Sequence, residues 1–152
     1  STNNTKFFSS GEIHSRVEKT DIVSSHPLSY EHLNVCVSKN INCSRCHKCQ
    51  RTLITLDLLG KLYLYNKVFD LNDYQIHRSK YFGMILGDWE NDLMKKEIYD
   101  SIKLNQYPVP FAAYFYRYPI EIYQLGVKHC PRLLRRLYKK KQHIFRCIRV
   151  DR

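Results

Sequence analysis

Four cysteines within fourteen residues constrain this chain more than any other feature, with Cys36, Cys43, Cys46 and Cys49 separated by six, two and two residues. Two residues between cysteines let the backbone turn tightly enough for both thiolates to reach one ion, and four sulfurs at tetrahedral corners complete a structural zinc site. The other two cysteines, Cys130 and Cys147, lie far away, whereas a secreted disulfide scaffold spreads its thiols along the chain. Zinc with four thiolates is a net anion, so the neighbouring Lys39, Arg45, Lys48 and Arg51 are expected to offset its charge. A closed sulfur shell leaves no open position for a reactive water, and the expected role is structural. Two alternatives remain open from the spacing. An iron–sulfur cluster uses similar runs, although the fourth ferredoxin position here is Leu53 and no proline follows; the other alternative is four reduced cysteines without metal. His47 is expected to be exposed on the turn.

The surrounding pattern predicts a mainly α chain. At 152 residues there is room for one compact domain with an extension. RTLITLDLLG places Leu53, Leu56 and Leu59 on one face with Cys49 one turn back, predicting a helix over 46–59 stopped by Gly60. DLNDYQIHRSKYFGMIL and DWENDLMKKEIYDSIKL predict two antiparallel helices joined near Gly87. A turn or two of helix is expected from about Lys19, with Thr20 or Asp21 near its start and an end before Pro27. Lys6 to Ile13 reads as a short extended segment. YPVPFAAYFYRYP, bracketed by prolines, is expected as a helix edge or a packed extended strap whose rings fill a core. No window approaches the length of a membrane-spanning helix, and STNNTKFFSS lacks the layout of a secretory leader, so a cytoplasmic protein is expected.

The run GEIHSRVEKTDIVSSHPLSYEHLNVCVSKNINCSRCHKCQRTL resembles the C-terminal portion of 7-cyano-7-deazaguanine synthase and its relatives in the PP-loop ATP pyrophosphatase superfamily, of the adenine nucleotide alpha hydrolase-like (HUP) type. The shared features are a Lys-x-x-Ile/Val element, here Lys19 to Val23, then a cysteine, a short loop and Cys-x2-Cys-x2-Cys. The resemblance spans residues 7 to about 60. It implies zinc on Cys36, Cys43, Cys46 and Cys49, and basic residues, Arg16 and Lys19, near a nucleotide or substrate pocket. It also implies that the chain is the C-terminal part of an α/β protein that adenylates a carboxylate and lets ammonia displace the adenylate. The family's Ser-Gly-Gly-x-Asp-Ser loop, whose backbone amides cradle ATP phosphates, is missing here, and no Gly-Gly pair occurs. The resemblance therefore implies that ATP is bound only with an N-terminal part or a separate subunit. No catalytic residue is assigned, and activity from this chain alone is not expected. The expected segments are 1–60 with the four-cysteine zinc knuckle, 61–130 as a helical region, and 131–152 as a basic amphipathic helix.

The last segment follows from charge placement. Residues 122–152 hold ten Lys/Arg against Asp151, while the preceding residues hold fifteen against thirteen Asp/Glu. Arg132, Arg135, Arg136, Lys139, Lys140 and Lys141 surround an apolar stripe of Leu133, Leu134 and Leu137. That pattern is expected to meet nucleic acid or an anionic membrane surface. A non-catalytic zinc knuckle holding such a partner is the alternative to the enzyme-part reading. Seven scattered histidines show no metal spacing, and Asp88, Glu90 and Asp92 are expected at a helix start, where negative charge is favoured.

Overall fold

The computed structural model describes residues 13–37 and 41–129, with side chains described as far as residue 121. Among the described residues every regular element is helical: α1 (Arg16–Ser24), α2 (Ser29–His32), α3 (His47–Leu58), α4 (Leu71–Asp88), α5 (Leu93–Leu104) and α6 (Ala112–His129), with short 3-10 turns at Leu62–Tyr65 and Trp89–Asn91. The mainly α expectation holds. None of the helices is long and apolar enough to cross a membrane.

The core is built on α3 and α4. Cys49, Leu53, Ile54 and Leu56 of α3 pack with Tyr65, Tyr74, Phe82 and Ile85, and Ile98 and Ile102 of α5 close the same cluster. Residues on both sides of position 60 thus share one core. The predicted α3 boundaries are one residue wide at each end, and Gly60 follows the helix with φ +68, the left-handed conformation that costs glycine little. α5 begins at Asp92, whose carboxylate accepts from the Met94 N–H at 2.9 Å, while Asp88 pairs with Lys95. Of the acidic group, Asp92 caps the helix, while Asp88 ends α4 and Glu90 lies in the 3-10 turn between.

Two sequence expectations change. α1 starts earlier than Lys19 because Ser15 and Glu18 form a capping box: Ser15 Oγ accepts from the Glu18 N–H, and Glu18 accepts from the Ser15 N–H at 2.7 Å. Each satisfies a donor the helix start would leave orphaned. The segment after Pro110 is a helix, α6, and it contains Pro119. Its rings do not fill the core: Phe111, Tyr114, Phe115, Tyr116 and Tyr118 are exposed, and the buried residue is Ala113. The cause lies in α4. A Cβ at Gly83 would stand 2.4 Å from the Tyr116 Cβ and 2.6 Å from the Ala113 carbonyl oxygen, and one at Gly87 would meet the Ile120 Cβ at 2.9 Å. The glycines let the two backbones touch, leaving no layer for aromatic rings between them.

Gly83→Ala should therefore reverse the usual gain of about 1 kcal/mol for replacing a helical glycine, and instead destabilise by about 1–3 kcal/mol through overpacking. Urea denaturation of the variant checks the sign.

A half-buried polar group ties α3 to α4 and to the loop before α6. Asp57 accepts from Tyr74 Oη at 2.7 Å, Arg78 Nε at 2.7 Å and Tyr107 Oη at 2.9 Å. Arg78 also donates to Tyr107 Oη at 2.7 Å and lies over the rings of Phe82 and Tyr107. Burial, with the Asp57 carboxylate beside it, drives the Tyr74 phenol far above its ordinary pKa, so it remains a donor.

Candidate metal centre

The sulfurs of Cys36, Cys43, Cys46 and Cys49 all lie within 4.8 Å of one another. Four sulfurs about 2.3 Å from one ion stand roughly 3.8 Å apart, and the Cys46 and Cys49 sulfurs are 3.5 Å apart. The four side chains are close enough to bind one metal and are compatible with structural zinc. Cys49 is buried and the other three are half-buried, and none of the four is joined in a disulfide.

Local chemistry explains how these residues meet. Cys46 is the N-cap of α3 and Cys49 lies in its first turn, where the helix dipole favours negative charge. The Cys46 N–H is directed at Cys43 Sγ at 3.3 Å, the amide-to-sulfur contact of a tight knuckle. Asn42 brings in the distant ligand: its Oδ1 accepts from the Val35 N–H at 2.9 Å while its Nδ2 donates to the Leu33 carbonyl at 2.7 Å. This places the segment ending in Cys36 beside the one beginning at Cys43. Asn34 Oδ1 in turn accepts from the Cys36 N–H at 3.1 Å.

The knuckle is fastened to α4 through Ser44 and Arg45. Ser44 is buried with φ +56, and its Oγ accepts from the Asp70 N–H at 2.9 Å. Arg45 grips Asp73 with Nε at 3.0 and 3.1 Å and a terminal nitrogen at 2.6 Å. This pair holds the Asp73 carboxyl below the usual aspartate range, against the opposing effect of burial. Arg45 was expected to offset thiolate charge; its guanidinium instead neutralises Asp73.

Ser44→Gly should keep the metal, because glycine adopts the left-handed backbone freely. Ser44→Val adds β-branched strain there and loses the hydroxyl acceptor, an expected cost of about 2 kcal/mol or more. Thermal melts of both variants alongside metal content distinguish the two effects.

Arg51, of which the same was expected, sits closer to the core. Its side chain is 11% exposed, and its Nε is a buried donor with no hydrogen-bond partner among the described residues. Asp92 Oδ1 is 4.0 Å from the guanidinium. Burial and then the nearby Arg16 push the Arg51 pKa down, whereas Asp92 and Cys46 pull it up. A terminal nitrogen of the guanidinium also donates to Met94 Sδ at 2.6 Å, so Arg51 is held by α5 while Cys46 acts on it electrostatically. Burial works against ionisation of Cys46, but the backbone amides of Cys49 and Val37 and the neighbouring thiols lower its pKa overall. Burial, followed by the Cys46 thiol, raises that of Cys49. Of the two neighbouring thiols, Cys46 is therefore the more acidic.

Of the remaining sequence candidates, Arg16 and Lys19 are both exposed on α1, one turn apart, and α1 packs against α3 and α5. The Arg16 N–H donates to Glu97 Oε2 at 2.7 Å, and the Arg16 guanidinium repels that of Arg51 on α3. His47 and Lys48 are exposed. Lys39, the extended segment proposed before Ile13, and Arg132, Arg135, Arg136, Lys139, Lys140 and Lys141 lie outside the described residues. Sequence reasoning missed Asn42, Ser44 and Asp73. The polar pair flanking Cys43 offered a local signal, whereas Asp73 is 28 positions from its partner Arg45 and offered none. Comparison with protein-family models, curated proteins and solved structures finds no match to this chain.

Proposed function

We propose that the chain is a zinc-stapled C-terminal region of a 7-cyano-7-deazaguanine synthase-like, ATP-dependent enzyme of the PP-loop type. The observation that carries the zinc assignment is the approach of four cysteine sulfurs to within 4.8 Å. One tetrahedral ion needs that crowding, whereas the cysteines of a four-iron cluster bind different irons and stand further apart. Cysteines alone favour zinc or iron over harder cations. With the shell filled by sulfur, the ion's part is to hold the 33–46 segment on α3 and α4, and the chemistry falls to other residues.

The order of elements supports the enzyme reading: Arg16 and Lys19, exposed on α1, precede the knuckle in sequence. The ATP-binding loop then belongs to a preceding part or a partner chain, which this region helps to close over a carboxylate substrate. Calorimetry of the chain alone with ATP and magnesium should show no saturable heat, since no glycine-rich phosphate cradle occurs in its sequence. Produced together with a polypeptide bearing a Ser-Gly-Gly-x-Asp-Ser loop from the same locus, it should form a complex that cleaves ATP to AMP and pyrophosphate. Micromolar ATP binding by the chain alone, or no complex and no cleavage in the joint preparation, contradicts the proposal.

A further inference from the structure

The outward face of α6 has no partner among the described residues that explains its composition. Phe111 is 78% exposed, Phe115 66% and Tyr118 61%, with Tyr114 beside them at 41%. Their spacing places them along one side of the helix, away from Ala113 and Ile120, which face the α4 glycines. Isolated exposed apolar residues are ordinary on soluble proteins, but four aromatic rings in one stripe mark an interaction surface. The sequence continues the spacing with Ile122 and Leu125.

Charge selects the occupant. Residues 122–152, which directly follow this stripe, carry ten Lys/Arg and one acidic residue. An aromatic helix face joined in sequence to a polybasic, leucine-bearing segment supplies the two signals that stable attachment to an anionic bilayer requires. The rings partition into the headgroup boundary, and the cations meet the negative surface potential. Single-stranded nucleic acid fits the stripe less well. Such surfaces interleave cations with rings whose faces stay open to bases. Here Phe111 and Phe115 meet edge to face at 5.5 Å and 86°, and the nearby cation Arg117 is paired with Glu121. We propose that the exposed aromatic face of α6, Phe111, Tyr114, Phe115 and Tyr118, is a peripheral membrane-binding surface for anionic phospholipid, independent of the zinc and enzyme assignments.

The test is flotation of the full chain with vesicles of phosphatidylcholine and phosphatidylglycerol in equal parts, and with phosphatidylcholine alone, at low and high salt. The chain should float with the anionic vesicles alone, and salt should weaken that binding without abolishing it. Phe115→Ser with Tyr118→Ser should reduce partitioning about tenfold or more, since each ring loses its apolar burial. Its circular dichroism and melting temperature should not change, because the rings are exposed. Replacing Arg135, Arg136, Lys139, Lys140 and Lys141 with Gln should reduce partitioning as well. A Tyr118→Trp variant gives a second reading: its emission, compared with that of the parent's Trp89, should shift to the blue with anionic vesicles. The proposal is overturned by absence of vesicle binding at low salt, by unchanged partitioning of the aromatic variant, or by an unshifted tryptophan. It is equally overturned if the chain ignores vesicles but binds RNA with log-linear salt dependence, or self-associates through these rings.

Discussion

Cys46→Ser is expected to destabilise the protein by about 4 kcal/mol or more, a loss reached only when a metal, a buried ion pair or a large core group is removed. Cys46 is both one of the four cysteines close enough to bind one metal and the N-cap residue of α3. Without its thiolate the metal is bound weakly, and the 33–46 segment loses the tie that draws Cys36 and Cys43 to the start of the helix. Cys49 is fully buried in the core cluster, so the damage reaches α3 itself. Thermal denaturation with and without a chelator measures the effect: chelation should lower the parent's melting temperature and leave the already metal-poor variant nearly unchanged. If neither the substitution nor chelation moves the transition, the metal does not support the fold.

Asp57→Ala should cost about 3–5 kcal/mol for a different reason. The substitution strands the Arg78 guanidinium, whose side chain is 24% exposed, and removes the acceptor for two tyrosine hydroxyls. Breaking a mostly buried pair leaves an uncompensated charge in place, which costs more than the pair itself contributes. Asp57→Asn keeps an acceptor oxygen for the tyrosines and should lose less. Urea midpoints rank the three proteins, and metal content separates this defect from the first: Asp57→Ala should retain its metal, because Asp57 does not contact the knuckle.

How much of this was legible in the sequence depended on whether the signal was local. α3 could be placed to within a residue because its apolar spacing, the cysteines before it and Gly60 after it all lie within one short window. α4 and α5 were legible for the same reason, although α4 continues through Gly87 to Asp88 before the chain turns. The start of α1 was readable from Ser15 and Glu18 but was set too late, since the apolar pattern there is weak and the cap carried the information. α6 was left between a helix edge and an extended strap because prolines and aromatic rings suggest either, and the expected burial of its rings did not follow. Its register is decided by Gly83 and Gly87, about thirty residues earlier, and no local rule connects the two. At the candidate metal centre the gathering of Cys36, Cys43, Cys46 and Cys49 was legible from spacing alone. Their supports were not: the Arg45 to Asp73 grip and the Ser44 contact to the start of α4 exist only once the chain has folded back. Arg51 and Arg45 were both expected to offset charge beside the cysteines; the Arg51 side chain is 11% exposed and reaches Asp92, while the Arg45 guanidinium is taken by a carboxylate from α4.

The central claim is that four cysteines hold one zinc ion that staples the fold. Elemental analysis of the purified, folded chain tests it most directly. One zinc per chain, lost together with the native thermal transition on chelation, is the predicted result; iron with a brown visible spectrum, or a fully folded protein without metal, would contradict it.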